Sequence, residues 1–466
     1  MLFSSLTFLF YFLPCVIVLY FAVPKKLKNA VLLLSSLFFY AWGEPRLIWL
    51  MLIGIANSFT AGMLIEKYRG STISKLVLVI SSAISIGCLG WFKYAGFFAE
   101  NFSRLTGISA PVLNIALPIG ISFYTFQMLS YVIDVYRKAV PAQKNLISLA
   151  LYVSLFPQLI AGPIVRYSDI AEQLSSRTHS LSKAASGIRL FVIGLSKKIL
   201  LANSLGELCS ACTGSEDKSV LLCWMYAAAY ALQIYFDFSG YSDMAVGLGR
   251  IFGFEFCRNF NYPFISRSIT EFWRRWHMSL GTWFRDYVYI PLGGNRTSRI
   301  KWLRNILIVW ALTGFWHGAE WNFVIWGIYF GVLLVFEKLF FGKYIANSHF
   351  LSRVYVLFTV LISFVIFSAA DTGTASELLS GMFGFGGLPF VSSEQMYLLR
   401  SFGITLIIAV IGATPIPAKL FSIAEKNVYG STITAIAEPA LLVMLTMVCT
   451  AYLVDGSFNP FLYFRF

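Results

Sequence analysis

Two of the four histidines in this chain lie in segments whose composition suits chemistry near a membrane. His317 follows Phe315 and Trp316 and precedes a glycine, and His277 also follows a tryptophan. A titratable side chain in or near a bilayer is costly and usually faces the protein interior. Because the unperturbed pKa of an imidazole is about 6.5, a neutral His317 can take a proton from a hydroxyl group. A histidine that only hydrogen-bonds between packed helices explains the pattern equally well.

Three arginines are near His277 in the sequence, namely Arg274, Arg275 and Arg285. One interpretation is a basic rim that holds a phosphate-bearing cofactor beside this histidine. The alternative is an interfacial helix whose arginines meet lipid phosphates and whose tryptophans lie at headgroup level. Composition alone does not decide between the two.

Two further side chains could take part in a reaction, but a structural role explains the presence of each more simply. Asp237 ends an apolar segment, where a buried carboxylate can orient a histidine or cap a helix that begins near Ser239, and we favour a structural role. Tyr463 lies in the aromatic tail Phe-Leu-Tyr-Phe-Arg-Phe that ends the chain. Its phenol can accept an acyl group if a base removes the proton. Taken alone, the tail is better explained as an aromatic belt at the membrane edge.

The elements that must position these residues are predicted to be membrane-spanning helices. Apolar residues make up 58% of the chain and charged residues only 12%, which is too apolar for a soluble protein of this size. The net charge of +14 is spread over short stretches between apolar runs, so it indicates cytoplasmic loops and not nucleic-acid binding. Cys209 and Cys212 have redox spacing without a nearby histidine or a second pair, so we expect no metal site.

Apolar runs near the length of about 20 residues needed to cross a bilayer recur along the whole sequence. They fall near 2–23, 30–42, 47–65, 75–98, 112–135, 146–165, 186–205, 219–237, 303–317, 322–341, 353–370, 399–418 and 433–454. The stretch 238–302 differs, because it mixes aromatic residues with Arg, Asp, Asn and Gly. Such backbone at membrane depth must be buried in protein or line a wet cavity, so we predict re-entrant and interfacial helices there.

The distribution of lysines predicts which loops face which side. Lysines after the first helix place the N-terminus outside, and the acidic loop 371–398 suits the outer side. Loop 419–432 suits the inner side, which leaves the tail 455–466 outside. We find no soluble domain and no internal repeat, so residues 1–466 are predicted to form one integral membrane domain.

Several motifs together resemble the membrane-bound O-acyltransferase family, in its branch of alginate and peptidoglycan O-acetyltransferases. The two histidine motifs at their spacing are the specific part, and the resemblance covers essentially the whole chain. The matching segments are Phe156-Pro-Gln-Leu-Ile-Ala-Gly-Pro163, Tyr235-Phe-Asp-Phe-Ser-Gly-Tyr-Ser-Asp243, Arg274-Arg-Trp-His-Met-Ser-Leu280, Trp283 to Gly294 and Phe315-Trp-His-Gly318.

The resemblance implies a fold and a set of roles. The fold would be an all-α polytopic helical bundle with a central tunnel, in the bacterial inner membrane. His317 matches the essential histidine of the family and His277 the upstream one. The donor would be acetyl-CoA, held at the cytoplasmic mouth by Arg274, Arg275 and Arg285. The tail with Tyr463 resembles a C-terminal acyl-carrier motif.

The resemblance also implies a partner, an extracytoplasmic SGNH-type acetyltransferase or esterase that passes the acetyl group to a polysaccharide such as alginate or peptidoglycan. Two alternatives remain open at this point. One is an enzyme of the same family that transfers D-alanine or another acyl group. The other is a proton-coupled transporter whose histidines and Asp237 form a proton relay.

Overall fold

The computed structural model describes residues 1–109, 113, 115–160, 162–342, 347–426 and 428–456, and regular secondary structure in these ranges is entirely helical. In chain order the α-helices are α1 (Leu13–Ala22), α2 (Lys28–Gly43), α3 (Ile48–Lys67), α4 (Thr72–Leu89), α5 (Ala95–Thr106), α6 (Ile121–Tyr136), α7 (Leu146–Ser154), α8 (Phe156–Leu159), α9 (Tyr167–Ser175), α10 (Leu181–Ser196), α11 (Asn203–Gly214), α12 (Val220–Ile251), α13 (Ile269–Arg275), α14 (Met278–Phe284), α15 (Arg299–His317), α16 (Trp321–Phe336), α17 (His349–Ser368), α18 (Thr372–Met382), α19 (Ser393–Gly412), α20 (Ile416–Lys426) and α21 (Val428–Val454).

Short helical turns of different pitch extend or connect some of these helices. Wider π-helical turns are Phe8–Phe12, Gly90–Tyr94, Lys197–Ala202, Arg285–Tyr289 and Glu337–Phe341, and tighter 3-10 turns are Lys25–Leu27 and Pro263–Ile265. The last π-helical turn matters below, because it brings a carboxylate to the site.

Seven of the described helical stretches are long and apolar enough to cross a membrane. They are Ile48–Lys67, Thr72–Thr106, Val220–Ile251, Trp321–Phe340, His349–Ser368, Ser393–Gly412 and Thr432–Val454. The prediction of an all-α polytopic membrane protein is confirmed. The sidedness of the loops stays a prediction.

The chain forms two compact units, and the first comprises Met1–Phe191 and Met244–Cys257. Its core is rich in phenylalanine, and aromatic rings bury much apolar area when they pack against one another. Phe3 and Phe8 lie 4.8 Å apart between ring centroids, and Phe39 and Phe156 lie 5.6 Å apart.

The second unit comprises Val192–Asp243 and Arg258–Phe466, and its central feature is the hairpin of α15 and α16. A Cβ added to Gly314 would overlap the carbonyl oxygen of Phe323, and one added to Gly327 would overlap that of Trp310. The two backbones are therefore in direct contact, as small residues permit between membrane helices. The prediction of a single domain over 1–466 stays a prediction.

The structure corrects three boundaries drawn from the sequence. The segment predicted to end at residue 237 continues as α12 to Ile251, so the start of the stretch 238–302 is a regular helix. The sequence predicted the end of the helix from its polar residues, but Asp237 and Ser239 are buried in protein, so their polarity does not end the helix. The predicted loops 371–398 and 419–432 contain or overlap α18 and α20.

Candidate active site

His277 lies at the joint between two short helices. It follows the end of α13 and directly precedes α14, with φ 42° and ψ 54°. This left-handed conformation is unusual for a residue with a side chain and tends to occur at functional sites. The side chain is 2% exposed, and its ring packs edge to face on Phe238 at 4.6 Å.

The side chain of Asn259 fixes the tautomer of His277. The backbone N–H of Ser279 donates to Asn259 Oδ1 over 3.2 Å, and the Ser279 hydroxyl donates to the same atom over 2.9 Å. Because a backbone N–H can only donate, this atom of Asn259 is an oxygen. The contact of 3.2 Å between His277 Nδ1 and this oxygen therefore requires that Nδ1 carries the proton. The lone pair of the neutral ring is on Nε2.

Nε2 of His277 is buried and has no hydrogen-bond partner among the residues that the structure describes. Burial also lowers the pKa of His277 to about 3, so the ring is uncharged at neutral pH. A buried acceptor normally has a partner, and one without a partner in the protein calls for an explanation such as a catalytic role, a bound water or an ion. His277 thus keeps an unused hydrogen-bond acceptor in its buried ring.

A cavity of about 480 Å³ lies against His277. Its walls come from α13, α14, α15 and α16 and include Trp273, Arg274, Arg285 and Thr313. The lining is mostly apolar with a few polar groups, which is typical of a small-molecule site.

A second cavity, of about 670 Å³, shares five lining residues with the first, so the two adjoin. The shared residues are Thr270, Arg274, Tyr289, Ile306 and Leu334. This second cavity also contains the cations Arg267 and Lys338, which the sequence did not single out. The adjoining cavities therefore combine an apolar end near His277 with a basic end.

The three predicted cofactor-binding arginines have different surroundings. Arg274 lines both cavities and has no hydrogen-bond or ion-pair partner in the described part of the chain. Arg285 lines the smaller cavity but forms two contacts with Asp286, at 2.6 and 3.1 Å. Arg275 lines neither cavity and pairs with Glu271 at 2.8 Å. An incoming phosphate would therefore find Arg274 the most available of the three.

His317 is the last residue of α15 and is 6% exposed. Three aromatic rings stand edge to face around its imidazole, those of Trp316, Trp326 and Phe367, at 5.0, 5.2 and 5.3 Å. It does not line either cavity described above. Thr313, one helical turn before His317, does line the smaller one.

Trp316 connects the two histidines. Its ring lies 6.0 Å from that of His277 and 5.0 Å from that of His317, measured between centroids. A parallel connection runs from the cavity wall at Trp273 to Trp326, 5.5 Å away, and on to His317. The structure thus brings both predicted histidines into one aromatic cluster, with a single layer of rings between the cavity and His317.

Comparison with known proteins identifies the family. The family model of the membrane-bound O-acyltransferases matches residues 34–372. The chain is 38% identical to the probable alginate O-acetylase AlgI of Azotobacter vinelandii over the full length of both. It is 32% identical to the peptidoglycan O-acetyltransferase of Helicobacter pylori, with 83% of this chain and 81% of that protein aligned. The chain belongs to the membrane-bound O-acyltransferase family.

A more partial similarity is to the teichoic acid D-alanyltransferase of Bacillus subtilis, with 30% identity over 49% of this chain and 61% of that protein. Family membership makes this chain a multi-pass membrane acyltransferase. Both His277 and His317 lie within the matched residues, and Tyr463 lies beyond them. Tyr463 also lies outside the residues that the structure describes, so its role stays a prediction.

One alternative for Asp237 of this acyltransferase was that it caps a helix beginning near Ser239, and the structure contradicts it. Asp237 lies within α12 and forms an ion pair of 2.6 Å with Lys198, both side chains being 3% exposed. A buried ion pair is costly to break by removal of one partner. We interpret Asp237 as structural. Among the described residues, no group of three or more His, Cys, Asp or Glu side chains can hold a metal ion.

Three residues that support the site were missed in the sequence. Asn259 fixes His277, and Glu337 accepts the backbone N–H groups of Ile269 and Thr270 at the start of α13, over 2.7 and 3.1 Å. Asn305 donates to the carbonyl oxygens of Leu292 and Gly294 and so fixes the loop after α14. No local sequence signal reveals these contacts, since each joins residues 11 or more positions apart.

Proposed function

We propose that this acyltransferase moves an acetyl group from acetyl-CoA to an extracytoplasmic polysaccharide from within the bacterial inner membrane. Two similarities support the acetyl group and the polysaccharide. One relative, similar over its full length, is named a probable alginate O-acetylase, and another is named a peptidoglycan O-acetyltransferase. The observation on which the mechanism depends is the buried, unpartnered acceptor nitrogen of His277, a residue that lines a cavity adjoining a basic one.

The adjoining cavities suit the two parts of CoA. Its phosphates would contact Arg267, Arg274 and Lys338 at the basic end, where Arg274 has no other partner in the described part of the chain. Its pantetheine arm contains amide N–H groups, and Nε2 of His277 can accept one of them. His277 would then position the thioester, as a neutral acceptor, without exchanging a proton.

His317 would act as the base, and the thioester end of the donor would pass the rings of Trp316 and Trp326 to reach it. It would remove the phenolic proton of Tyr463, whose oxygen attacks the carbonyl carbon of the thioester. The carbon–sulfur bond breaks, and the CoA sulfur leaves with the proton that the imidazolium returns. The acetyl group remains on Tyr463 as a phenyl ester. An SGNH-type partner outside the membrane would then transfer it to a polysaccharide hydroxyl.

The test is acetyl labelling of the full-length protein in proteoliposomes with radiolabelled acetyl-CoA. His317→Ala is expected to abolish labelling and to leave the protein inserted and folded. The matched control is His349→Ala, because His349 is exposed at the start of α17 and lies in neither cavity. Full labelling of His317→Ala would refute the role of His317 as base.

The carrier role needs a separate variant. Tyr463→Phe should lose the label but still bind acetyl-CoA, because only the phenol oxygen is removed. Label that persists on Tyr463→Phe contradicts the carrier role and leaves that of His317 intact. Mass spectrometry of the labelled protein distinguishes acetyl from D-alanyl, the acyl group suggested by the partial similarity to a D-alanyltransferase.

A further inference from the structure

A cluster of basic side chains lies in the first unit, among residues that the proposed reaction does not use. Its centre is Tyr20, which is fully buried near the end of α1. The Tyr20 hydroxyl donates to the carbonyl oxygen of Phe252 over 3.0 Å and lies 2.9 Å from Nε2 of His179. Arg177 Nε donates to the same hydroxyl over 2.9 Å. Segments far apart in the sequence therefore meet at one phenol.

Arg177 is held in a fixed position. Its Nη1 donates to Asn29 Oδ1 over 2.7 Å and to the carbonyl oxygen of Gln173 over 3.1 Å. Its guanidinium lies 4.5 Å from the ring centroid of Phe254. Gly253 has φ +86°, and a Cβ there would lie 3.1 Å from Nε2 of His179, so a glycine lets these segments approach.

Lys28 joins the cluster from the first turn of α2. Its Nζ lies 4.6 Å from the ring centroid of Tyr20 and 5.0 Å from that of Phe21. Desolvation, Arg177 and Lys25 together lower the pKa of Lys28. Desolvation, Lys28 and Arg177 lower the pKa of His179, so this imidazole is mainly neutral at pH 7 and lies beside two cations.

No carboxylate in the described part of the chain pairs with Lys28, Arg177 or His179. Glu255, which follows Phe254, forms its ion pair of 2.8 Å with Lys183 instead. Like charges gathered without a counter-charge repel one another, and a bound anion would relieve that repulsion. The cluster has the composition of an anion site.

We propose that Lys28, Arg177 and His179 bind the phosphate of an anionic phospholipid headgroup. Apolar side chains beside the cluster favour a lipid over a soluble anion, because Phe21 is 47% exposed and Leu27 is 50% exposed. They can contact the acyl chains while the basic side chains hold the phosphate. The predicted topology places this end of α1 on the cytoplasmic side, where membranes carry negative surface charge.

The test uses the full chain in nanodiscs that contain phosphatidylglycerol and phosphatidylcholine, with the retained lipids identified by native mass spectrometry. The wild type is expected to retain phosphatidylglycerol preferentially. Lys28→Gln should lower this preference about fivefold, the effect of about one cation near an anionic surface. Arg177→Gln should lower it at least as much. Lys28→Gln keeps the test valid if the Arg177 variant does not fold, since the Lys28 side chain forms no hydrogen bond with the described residues.

The matched control is Lys75→Gln, because Lys75 is exposed in the first turn of α4 and belongs to no such cluster. Unchanged lipid preference in Lys28→Gln would overturn the proposed site. An equal loss in Lys75→Gln would also overturn it, because the preference would then come from general surface charge. Addition of inorganic phosphate separates the two sources of the anion. If phosphatidylglycerol stays bound in the presence of inorganic phosphate, the lipid assignment is supported. If inorganic phosphate displaces the phosphatidylglycerol, the lipid assignment is overturned.

Discussion

The two histidines of this acyltransferase are positioned in opposite ways. His317 ends a long helix that contacts its neighbour backbone to backbone, through Gly314 and Gly327, and aromatic rings enclose its imidazole. His277 lies between two helices of seven residues each, and a hydrogen bond to Asn259 fixes its ring. Close apolar packing holds His317 in place, whereas buried polar side chains linked by hydrogen bonds hold His277.

This difference teaches what each region can tolerate. The hairpin of α15 and α16 depends on the absence of side-chain volume at two positions, so added atoms should damage it. The segment of α13 and α14 depends on specific donors and acceptors, so the loss of a single polar group should damage it while volume matters less. Four substitutions test the contrast, from the largest expected effect to the smallest.

Gly327→Ala should break the hairpin. The added methyl group would overlap the carbonyl oxygen of Trp310, which is backbone and cannot rotate away. We expect a loss of at least about 3 kcal/mol in stability, seen as a lower melting temperature and poor recovery of folded protein. The matched control is Gly403→Ala in α19, where an added Cβ meets no atom within 4 Å. Equal stability of the two variants would contradict direct backbone contact.

Asn259→Ala should disable His277 with the fold retained. Nδ1 of the imidazole and the N–H of Ser279 would lose their acceptor, so the ring could turn and Nε2 would leave the cavity. We expect acetyl transfer to fall about 100-fold, because the thioester that His277 positions would be misplaced by about 1 Å. Transfer per folded molecule in proteoliposomes measures this.

The control for this prediction is Asn57→Ala in α3. Asn57 donates to the Ser81 carbonyl oxygen on α4 over 3.2 Å, far from the cavities in sequence and in the other unit. This variant should lose some stability and keep its activity per folded molecule. If Asn259→Ala behaves in the same way, Asn259 is merely structural.

The same contrast explains what the sequence could predict. Helices such as α3 and α17 follow from long apolar runs, and the histidine motifs stand out because tryptophan and glycine surround them. Asn259, Glu337 and Asn305 give no such signal, because a polar residue is recognised as a support only when its distant partner is known. The continuation of α12 past Asp237 was missed for a related reason, since Lys198, which compensates its charge, is on another segment.

Arg274→Gln should weaken donor binding, and Arg275→Gln should not do so to the same degree. Arg274 lines both cavities without a partner among the described residues, whereas Arg275 is engaged by Glu271 and by the Asn261 carbonyl oxygen. We expect the KM for acetyl-CoA to rise about tenfold in Arg274→Gln, since a hydrogen bond between charged groups is lost. A similar rise in both variants would show that the neighbouring arginine reaches the donor after all.

Glu337→Gln tests the point where the two regions meet. Glu337 directly follows α16, yet its two carboxylate oxygens accept the first N–H groups of α13, and Oε2 also accepts the hydroxyl of Thr270 over 2.8 Å. A carboxylate is a better partner than an amide for the positive end of a helix, and an amide N–H₂ facing these donors would leave one unsatisfied.

We therefore expect Glu337→Gln to cost about 1 kcal/mol of stability, measured by thermal unfolding, and to raise the KM for acetyl-CoA, because α13 carries Arg274. Removal of an exposed carboxylate is the control, since Glu377→Gln breaks only a surface ion pair with Lys218 and should change neither quantity. If Glu337→Gln lowers stability but leaves KM unchanged, α13 keeps its place without this cap. The position of the α13–α14 segment would then depend on Asn259 more than on the contact of Glu337 with α13.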